Sequence, residues 1–376
     1  MDIDKKSKIP LYLQLKNYII HLINTGEIKP DSILPTEQEL CSKFGISRYP
    51  VRQAMDELVA EGYLHRVRGR GTFVKSKPPV IRPAAGKKSL GLVMPYIVDG
   101  LCGQILKGFE KHARKHGYCT TVFCSECGSN EEMACIEQLT KCEVKSMFVF
   151  PCDDSNLKDR IEELRARGIY IGLLDRNPGI SDIDYVGSDN SAGAYMAVRH
   201  LAMHGYSNVI FVSDKSNASS VDERMEGYLN AVADFRLNSI AHIDIQEDLG
   251  KYTYPAHRFF LEKLRDDLLD LKKHFPLGIF SINDSVALQC MKILQSEGII
   301  IGRDVGLVGF DNVNECEFAP VPLTSVAQNG LLIGQTAADI LISKTEKGVS
   351  SAYNVTIPTQ LVVRSSCGEK LQPYAI

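Results

Sequence analysis

Tryptophan is absent from the 376 residues, and with it the ring most often laid against a flat apolar ligand face. No charged start is followed by an apolar export segment, and no apolar run approaches the ~18 residues that a membrane span needs. The expectation is a cytoplasmic chain that is neither exported by the usual signal nor inserted in a bilayer. Eleven cysteines, an odd number, read as reduced thiols that mostly fill cores. Cys124-Ser-Glu-Cys127 has metal-ligand spacing, but no second CxxC follows, and His112 and His116 lie on a predicted helix. Structural zinc takes four ligands, so no metal is expected. The hydrolase elbow GxSxG, the zinc motif HExxH and the phosphate loop GxxxxGK[ST] are missing as well. Ser, His and Asp occur throughout, yet no spacing singles out a triad. These gaps argue against an enzyme and against a bound cofactor.

What is present is long and divided in charge. A chain of this length exceeds one ordinary domain, and 44% hydrophobic residues can fill real cores. The formal charge of −3 hides a split: residues 1–88 hold 16 basic and 9 acidic residues, residues 89–376 hold 27 and 37. A basic head on an acidic body suggests one nucleic-acid module and one module with another task.

The head is most informative between Leu34 and Val74, LPTEQELCSKFGISRYPVRQAMDELVAEGYLHRVRGRGTFV. Thr36 can cap a helix from Glu37 to Phe44, which Gly45 ends. Ser47 can cap a second helix, ending near Gly62, in which Val51, Ala54, Met55 and Leu58 form one apolar stripe. Pro50 falls in its first turn, where a missing N–H costs nothing. Arg48 and Arg52 lie one turn apart off that stripe, beside Tyr49 and Gln53. Tyr63 to Val74 then alternates like two strands joined by the basic turn Arg68-Gly69-Arg70-Gly71. That is the plan of a winged helix-turn-helix. Residues 43–82 carry 9 basic against 3 acidic residues, which localises the positive charge. An arginine at the start of a recognition helix can give guanine a two-pronged hydrogen bond, while wing arginines reach phosphate or a minor groove.

This stretch, within about residues 8–75, resembles the DNA-binding domain of the GntR family of bacterial regulators. The resemblance implies Glu37, Arg48 and Arg52 as base readers, with Arg68 and Gly69 in the wing tip. Thr36, Ser47, Tyr49 and Arg70 complete the expected set facing a double-stranded DNA operator. The expected division is a winged helix-turn-helix over 1–75, a proline-rich linker over 76–88 and a body over 89–376. Residues 1–8 read as loose, Leu11 to Leu22 as a supporting first helix, and SKPPVIRPAAGKK as an extended tether.

In the body, apolar runs (Gly91–Met94, Thr121–Phe123, Met147–Phe150, Tyr170–Leu174, Val209–Val212, Gly278–Ser281, Val305–Gly309) alternate with helical stretches. Continuous apolar strands separated by helices imply α/β architecture with parallel sheets, and the length implies two lobes. Ligands of such sheets bind at the carboxyl ends of strands. Asp175 and Arg176, Asn283 and Asp284, and Asp311 and Asn312 fall at such ends, with Arg224 on a helix starting near Ser219. Carboxylates, amides and guanidinium together suit a ligand rich in hydroxyls. Each Asn or Asp taken alone reads equally as a helix cap.

The segments YVGSDNSAGAYMAVRHLAMHGYSNVIFVSD, SSVDERMEGY, IFSINDSVALQCMKIL and DVGLVGFDNV resemble the effector domain of the lac repressor family, from about Leu90 to Arg364. The resemblance implies a two-lobed fold like that of periplasmic sugar-binding proteins, a sugar between the lobes, and a homodimer. Carried over by motif, Arg224, Asn283 and Asp311 contact sugar hydroxyls, joined by Asp175, Arg176 and Gln328. Tyr96 and Gln104 are further cleft candidates, and Tyr252 or Tyr254 stands in for the missing tryptophan. A GntR head on such a body resembles regulators of arabinose use, which makes L-arabinose the first sugar to try and binding-induced release from DNA the expected response. The alternative is a regulator answering to a nucleoside or another non-sugar metabolite. An aminotransferase-like body is excluded by length, and a transport protein by the DNA head.

Overall fold

The computed structural model describes residues 10–24, 27–29, 31–60, 63–67, 70–75, 88–97, 100–152, 156–214, 218–245, 256–347 and 352–368. The expected tether over 76–87, the wing-tip pair Arg68 and Gly69, the helix end near Gly62, and Tyr252 and Tyr254 lie outside the described residues. The chain divides into two compact units, Met1–Ala85 and Gly86–Ile376.

The first unit holds α1 (Leu11–Asn24), α2 (Glu37–Phe44), α3 (Arg48–Ala60), β1 (Leu64–Val67) and β2 (Gly71–Val74). Thr36 starts α2 through a reciprocal cap. Its side chain accepts from the Glu39 N–H at 3.3 Å, and its own N–H donates to the Glu39 carboxylate at 2.7 Å. Gly45, at φ 59°, ends α2 in the left-handed region that the sequence reading assigned to a breaker. The stripe Val51, Ala54, Met55 and Leu58 is buried against Leu15, Ile19, Leu40 and Leu64. Each large side chain so buried contributes about 1.5–3 kcal/mol. Strands β1 and β2 pair antiparallel from Leu64 opposite Val74 to Val67 opposite Gly71, so the wing's inward residues close the same core.

The second unit contains two six-stranded sheets among the described residues. The first lobe is built from β3 (Ser89–Met94), α4 (Leu101–Lys115), β4 (Cys119–Cys124), α5 (Ser129–Lys141), β5 (Ser146–Val149), α6 (Leu157–Ala166), β6 (Tyr170–Leu174) and β7 (Tyr185–Ser188). The second lobe follows with α7 (Asn190–Met203), β8 (Asn208–Asp214), α8 (Ser219–Asp234), β9 (Asn238–Ile245), α9 (Ala256–Leu269), β10 (Leu277–Ser281), α10 (Asp284–Ser296), β11 (Val305–Asp311), α11 (Glu315–Phe318) and β12 (Thr324–Ala327). Helix α12 (Gly330–Lys347) and β13 (Asn354–Ile357) then return to the first lobe, and β14 (Gln360–Val362) pairs in the second. The strand orders are β13-β7-β6-β5-β3-β4 and β14-β12-β11-β10-β8-β9, parallel throughout except the β12–β14 pair. Among the described residues the chain thus passes three times between the lobes, near Asp189, Gln328 and Thr359.

All seven expected strands are present, but the alternation with helices is less regular than the sequence suggested. Strand β6 leads through a turn into β7 with no helix between, and β11 reaches β12 through the four-residue α11. Strands β7, β9, β12, β13 and β14 were not foreseen, because short or polar edge segments carry no continuous apolar run. No described helix is long and apolar enough to cross a membrane.

Candidate functional site

On the first unit, Arg48 and Arg52 project from the start of α3 one turn apart, both exposed. Tyr49 beside them is 78% exposed. Ser47 is exposed just before α3, and Arg70 is exposed at the wing, its N–H donating to Val67 O at 3.0 Å. The Thr36 hydroxyl is engaged by Glu39, so its role here is first to start α2. The sequence reading missed Arg66. From β1 its guanidinium reaches Asp56 on α3 at 2.6 Å and Glu37 on α2 at 3.3 Å, tying the wing to both helices. Its outward place in the alternation of β1 was the available signal. Glu37, a predicted reader, is thereby tied to the wing through Arg66.

On the second unit the strand ends converge on Arg224. This residue of α8 is 7% exposed, and its Nε donates to Asn190 Oδ1 at 3.0 Å. Its Nη1 donates to Ile282 O at 2.6 Å, just past β10. Its Nη2 lies 4.0 Å from Asp311 Oδ1, and the guanidinium sits 3.8 Å above the Phe310 ring. Asp311 also accepts from Gln328 Nε2 at 2.7 Å, and Gln328 Oε1 accepts from the Ser188 hydroxyl at 2.5 Å. Residues of β7, α7, α8, β11 and the second lobe crossing are therefore joined in one polar network. Ser188, Asn190 and Glu223, which accepts from Asn190 Nδ2 at 2.8 Å, were not foreseen. Ser188 and Asn190 stand at the end of β7, which the sequence did not mark, and Glu223 lies on α8 beside Arg224.

The backbone at these carboxylates is strained. Asp175 has φ 61°, Asp311 φ 108° and Asn312 φ 54°, the left-handed region that non-glycine residues seldom occupy. Such residues cost about 1–3 kcal/mol each and cluster where a side chain must be aimed. Asp175 is buried, and its Oδ1 has no hydrogen-bond partner among the described residues. Burial raises its pKa, with Arg176 and then Arg224 pulling it back. The Asp311 carboxyl is pushed up to about 7, first by burial; Arg224 and the Gln328 hydrogen bond oppose this while Asp284 adds to it. Glu223 is likewise raised by burial.

Asn283 caps α10, its Oδ1 accepting from Val286 N–H at 2.9 Å, so the capping reading applies to that oxygen and leaves its amide N–H groups for another partner. Asp284 is fully buried, accepting from Ser325 Oγ at 2.6 Å and Val313 N–H at 2.9 Å. It shapes the β11 loop and is not directed at the cleft. Tyr96 is 45% exposed just past β3, within electrostatic reach of Asp311 and Arg176. Gln104 lines an adjoining cavity of about 570 Å³ between α4 and α10, with Lys107, Gln289, Asn312 and Asn314. Asn312 of that lining follows Asp311 of the Arg224 network in sequence, and the lining contains neither Arg224 nor Asp311. Among the described residues no cluster of three or more His, Cys, Asp or Glu side chains is placed to hold a metal ion.

Comparison with known proteins divides at the same point. Residues 11–74 match the bacterial regulatory proteins of the gntR family, and residues 198–367 match the periplasmic binding protein-like domain. The arabinose metabolism transcriptional repressor of Geobacillus stearothermophilus is 27% identical over 97% of this chain and 100% of its own length. That of Halalkalibacterium halodurans is 25% identical over 95% and 96%. Among solved structures, a LacI family transcriptional regulator from Enterococcus faecium with bound ribose superposes with TM-score 0.62 at 23% identity, covering 76% of this chain and 100% of that one. The lac repressor dimer bound to operator gives TM-score 0.64 at 18% identity, covering 76% and 96%.

Proposed function

Since this chain joins a GntR-family winged helix-turn-helix to a periplasmic-binding-protein-like domain with LacI-like structural neighbours, we propose that it is a sequence-specific transcriptional repressor released from its operator by a small sugar. The working division is a DNA-binding head over 1–75, a tether over 76–88 and a ligand-binding, dimer-forming body over 89–376. The reading is of a cytoplasmic regulator and not of an enzyme. The observation that carries the ligand half is the Arg224 network: a buried guanidinium shared among Asn190, Ile282 and Asp311, beside an Asp175 oxygen with no partner. A buried polar atom left without a partner among the described residues, as Asp175 Oδ1 is, calls for a donor from a ligand or a water. A sugar supplies donors for Asp175 and Asp311 and acceptors for Arg176, Asn283 and Gln328.

The relatives named for arabinose metabolism make L-arabinose the first candidate. A homodimer would set two heads on two half-sites of a pseudo-palindrome. The sugar acts only if it binds two lobe arrangements unequally; a coupling of ~1–3 kcal/mol changes operator affinity ~5- to 150-fold.

The test is thermal unfolding of the purified chain against pentoses, hexoses, sugar phosphates and nucleosides. A ligand at ~100 times its dissociation constant adds ~2.7 kcal/mol to the native state. A shift with L-arabinose that Arg224→Ala abolishes supports the site and the effector together. A shift with a nucleoside alone replaces the sugar reading, and no shift with any compound removes it.

A further inference from the structure

The CxxC segment that the sequence singled out is absorbed neither by the DNA head nor by the sugar network. Cys124 is the last residue of β4, and Cys127 follows in a turn closed by Gly128 N–H donating to Ser125 O at 2.9 Å. Glu126 and Cys127 both have left-handed φ, 48° and 61°, which folds the second cysteine back toward the first. The two thiols share one acceptor: Cys124 Sγ lies 3.3 Å and Cys127 Sγ 3.9 Å from the Pro95 carbonyl oxygen. Between them, Ser125 donates its N–H at 2.9 Å and its hydroxyl at 3.3 Å to Met94 O. The CSEC turn thus anchors the end of β3 and Pro95 after it, just before Tyr96 at the proposed cleft.

The cysteines around this turn are placed differently. Cys102, Cys135 and Cys152 are buried, whereas Cys124 and Cys127 are each partly exposed. Burial pushes the Cys152 thiol up to about 12 and raises Cys135 as well, which keeps both protonated and slow to react.

We propose that Cys124 and Cys127 form a thiol–disulfide pair whose oxidation by a low-molecular-weight disulfide releases the Met94–Tyr96 segment and weakens ligand binding in the cleft. One thiolate attacks the incoming disulfide, forming a mixed disulfide and expelling the first small thiol. The other cysteine then attacks the protein sulfur of that mixed disulfide and expels the second. The protein loses two electrons and two protons, and the small disulfide is reduced to two thiols. Once the Cys124–Cys127 bond forms, neither sulfur carries a hydrogen, so both donors to Pro95 O are lost together. The effect on binding rests on the cleft being the ligand site, while the disulfide and the loosening of the segment do not.

The full-length protein is equilibrated in glutathione buffers of rising disulfide fraction, alkylated, and cleaved after glutamate. Cleavage after Glu126 separates the two cysteines, so a Cys124–Cys127 bond holds two peptides together until reduction. Expected is that linked pair, at ratios that leave Cys119 and Cys135 alkylated. Amide hydrogen exchange at residues 93–97 should rise on oxidation and return on reduction, and Cys127→Ser should show no response to the buffer. L-arabinose should bind the oxidised protein at least about fivefold more weakly than the reduced protein. A Cys124–Cys135 bond, no bond short of unfolding, or a Cys124–Cys127 bond with unchanged exchange overturns the proposal. Failure of the reduced protein to bind L-arabinose removes that sugar from the functional reading, and amide exchange then decides the switch alone.

Discussion

Asp311 is where burial and the proposed recognition meet. Burial raises its carboxyl from 3.8 to about 7, so between those values the folded chain holds a proton that the unfolded chain has released. Ligand-free stability therefore falls as pH rises through that window, and Asp175 and Glu223, also raised by burial, act with the same sign. Asp311→Asn removes this dependence at one site. Its thermal midpoint relative to the wild type should climb between about pH 4 and about pH 7, while its ligand affinity drops. A midpoint difference that is flat with pH would show that Asp311 is not the raised group. Because hydroxyls donating to Asp311 favour its ionised form, ligand binding near neutral pH should release protons, which calorimetry in two buffers of different ionisation enthalpy measures. In the head, Arg48→Ala or Arg52→Ala should each cost ~1–3 kcal/mol on the operator and blur one base position. Arg70→Ala should weaken all sequences about alike and reduce the salt slope. The reverse pattern in binding titrations would place the recognition helix elsewhere.

At the scale of elements, two devices hold these residues in place. The cap at Thr36 sets where α2 begins and hence where Glu37 points, so Thr36→Ala should cost ~0.5–2 kcal/mol of head stability by denaturant titration. Helices α4 and α12 meet at glycines: a Cβ on Gly334 would stand 2.0 Å from Ile105 O, and one on Gly108 2.1 Å from Leu331 O. Backbone that close cannot yield as a side chain can. Gly334→Ala should therefore destabilise the first lobe by at least the ~1–3 kcal/mol typical of overpacking, seen as a lower thermal midpoint. An unchanged midpoint would mean that the two helices separate at little cost. Neither glycine was readable as a contact from the sequence, where each is one small residue in a helical run.

For the molecule as a whole, the tether matters most. From the prolines at 78 and 79 in the sequence between head and body, we expect the two heads of the proposed dimer to accept operators with more than one half-site spacing. Gel-shift competition with half-sites moved by one or two base pairs measures this, and an equal loss at every altered spacing would argue for a rigid connection. The charge division between head and body makes a second consequence plain: removal of residues 1–75 should abolish DNA binding at low salt, because the remaining body is acidic.

Local rules determined the head almost completely from sequence. Thr36, Gly45 and the Val51–Leu58 stripe act within one or two helical turns, so cap, breaker and apolar face could each be placed before any tertiary contact was known. In the body, most central strands were legible because burial on both faces demands continuous apolar runs, whereas the edge strands β9, β13 and β14 and the short β7 and β12 were not, since one exposed side or a short length removes that demand. The candidate residues at strand ends could be named singly, but each Asn and Asp had a capping reading of equal standing. Tertiary structure decided among them: Asn283 caps through one oxygen, Asp284 is spent on Ser325 and Val313, and Asp311 is left facing Arg224. Ser188, Asn190 and Gln328 join the network around that arginine only because the chain crosses between the two sheets, whereas Glu223 precedes it on α8 and is bonded to Asn190. Contacts across 34 residues, as from Arg224 to Asn190, or 140, as from Ser188 to Gln328, leave no periodic trace in a sequence.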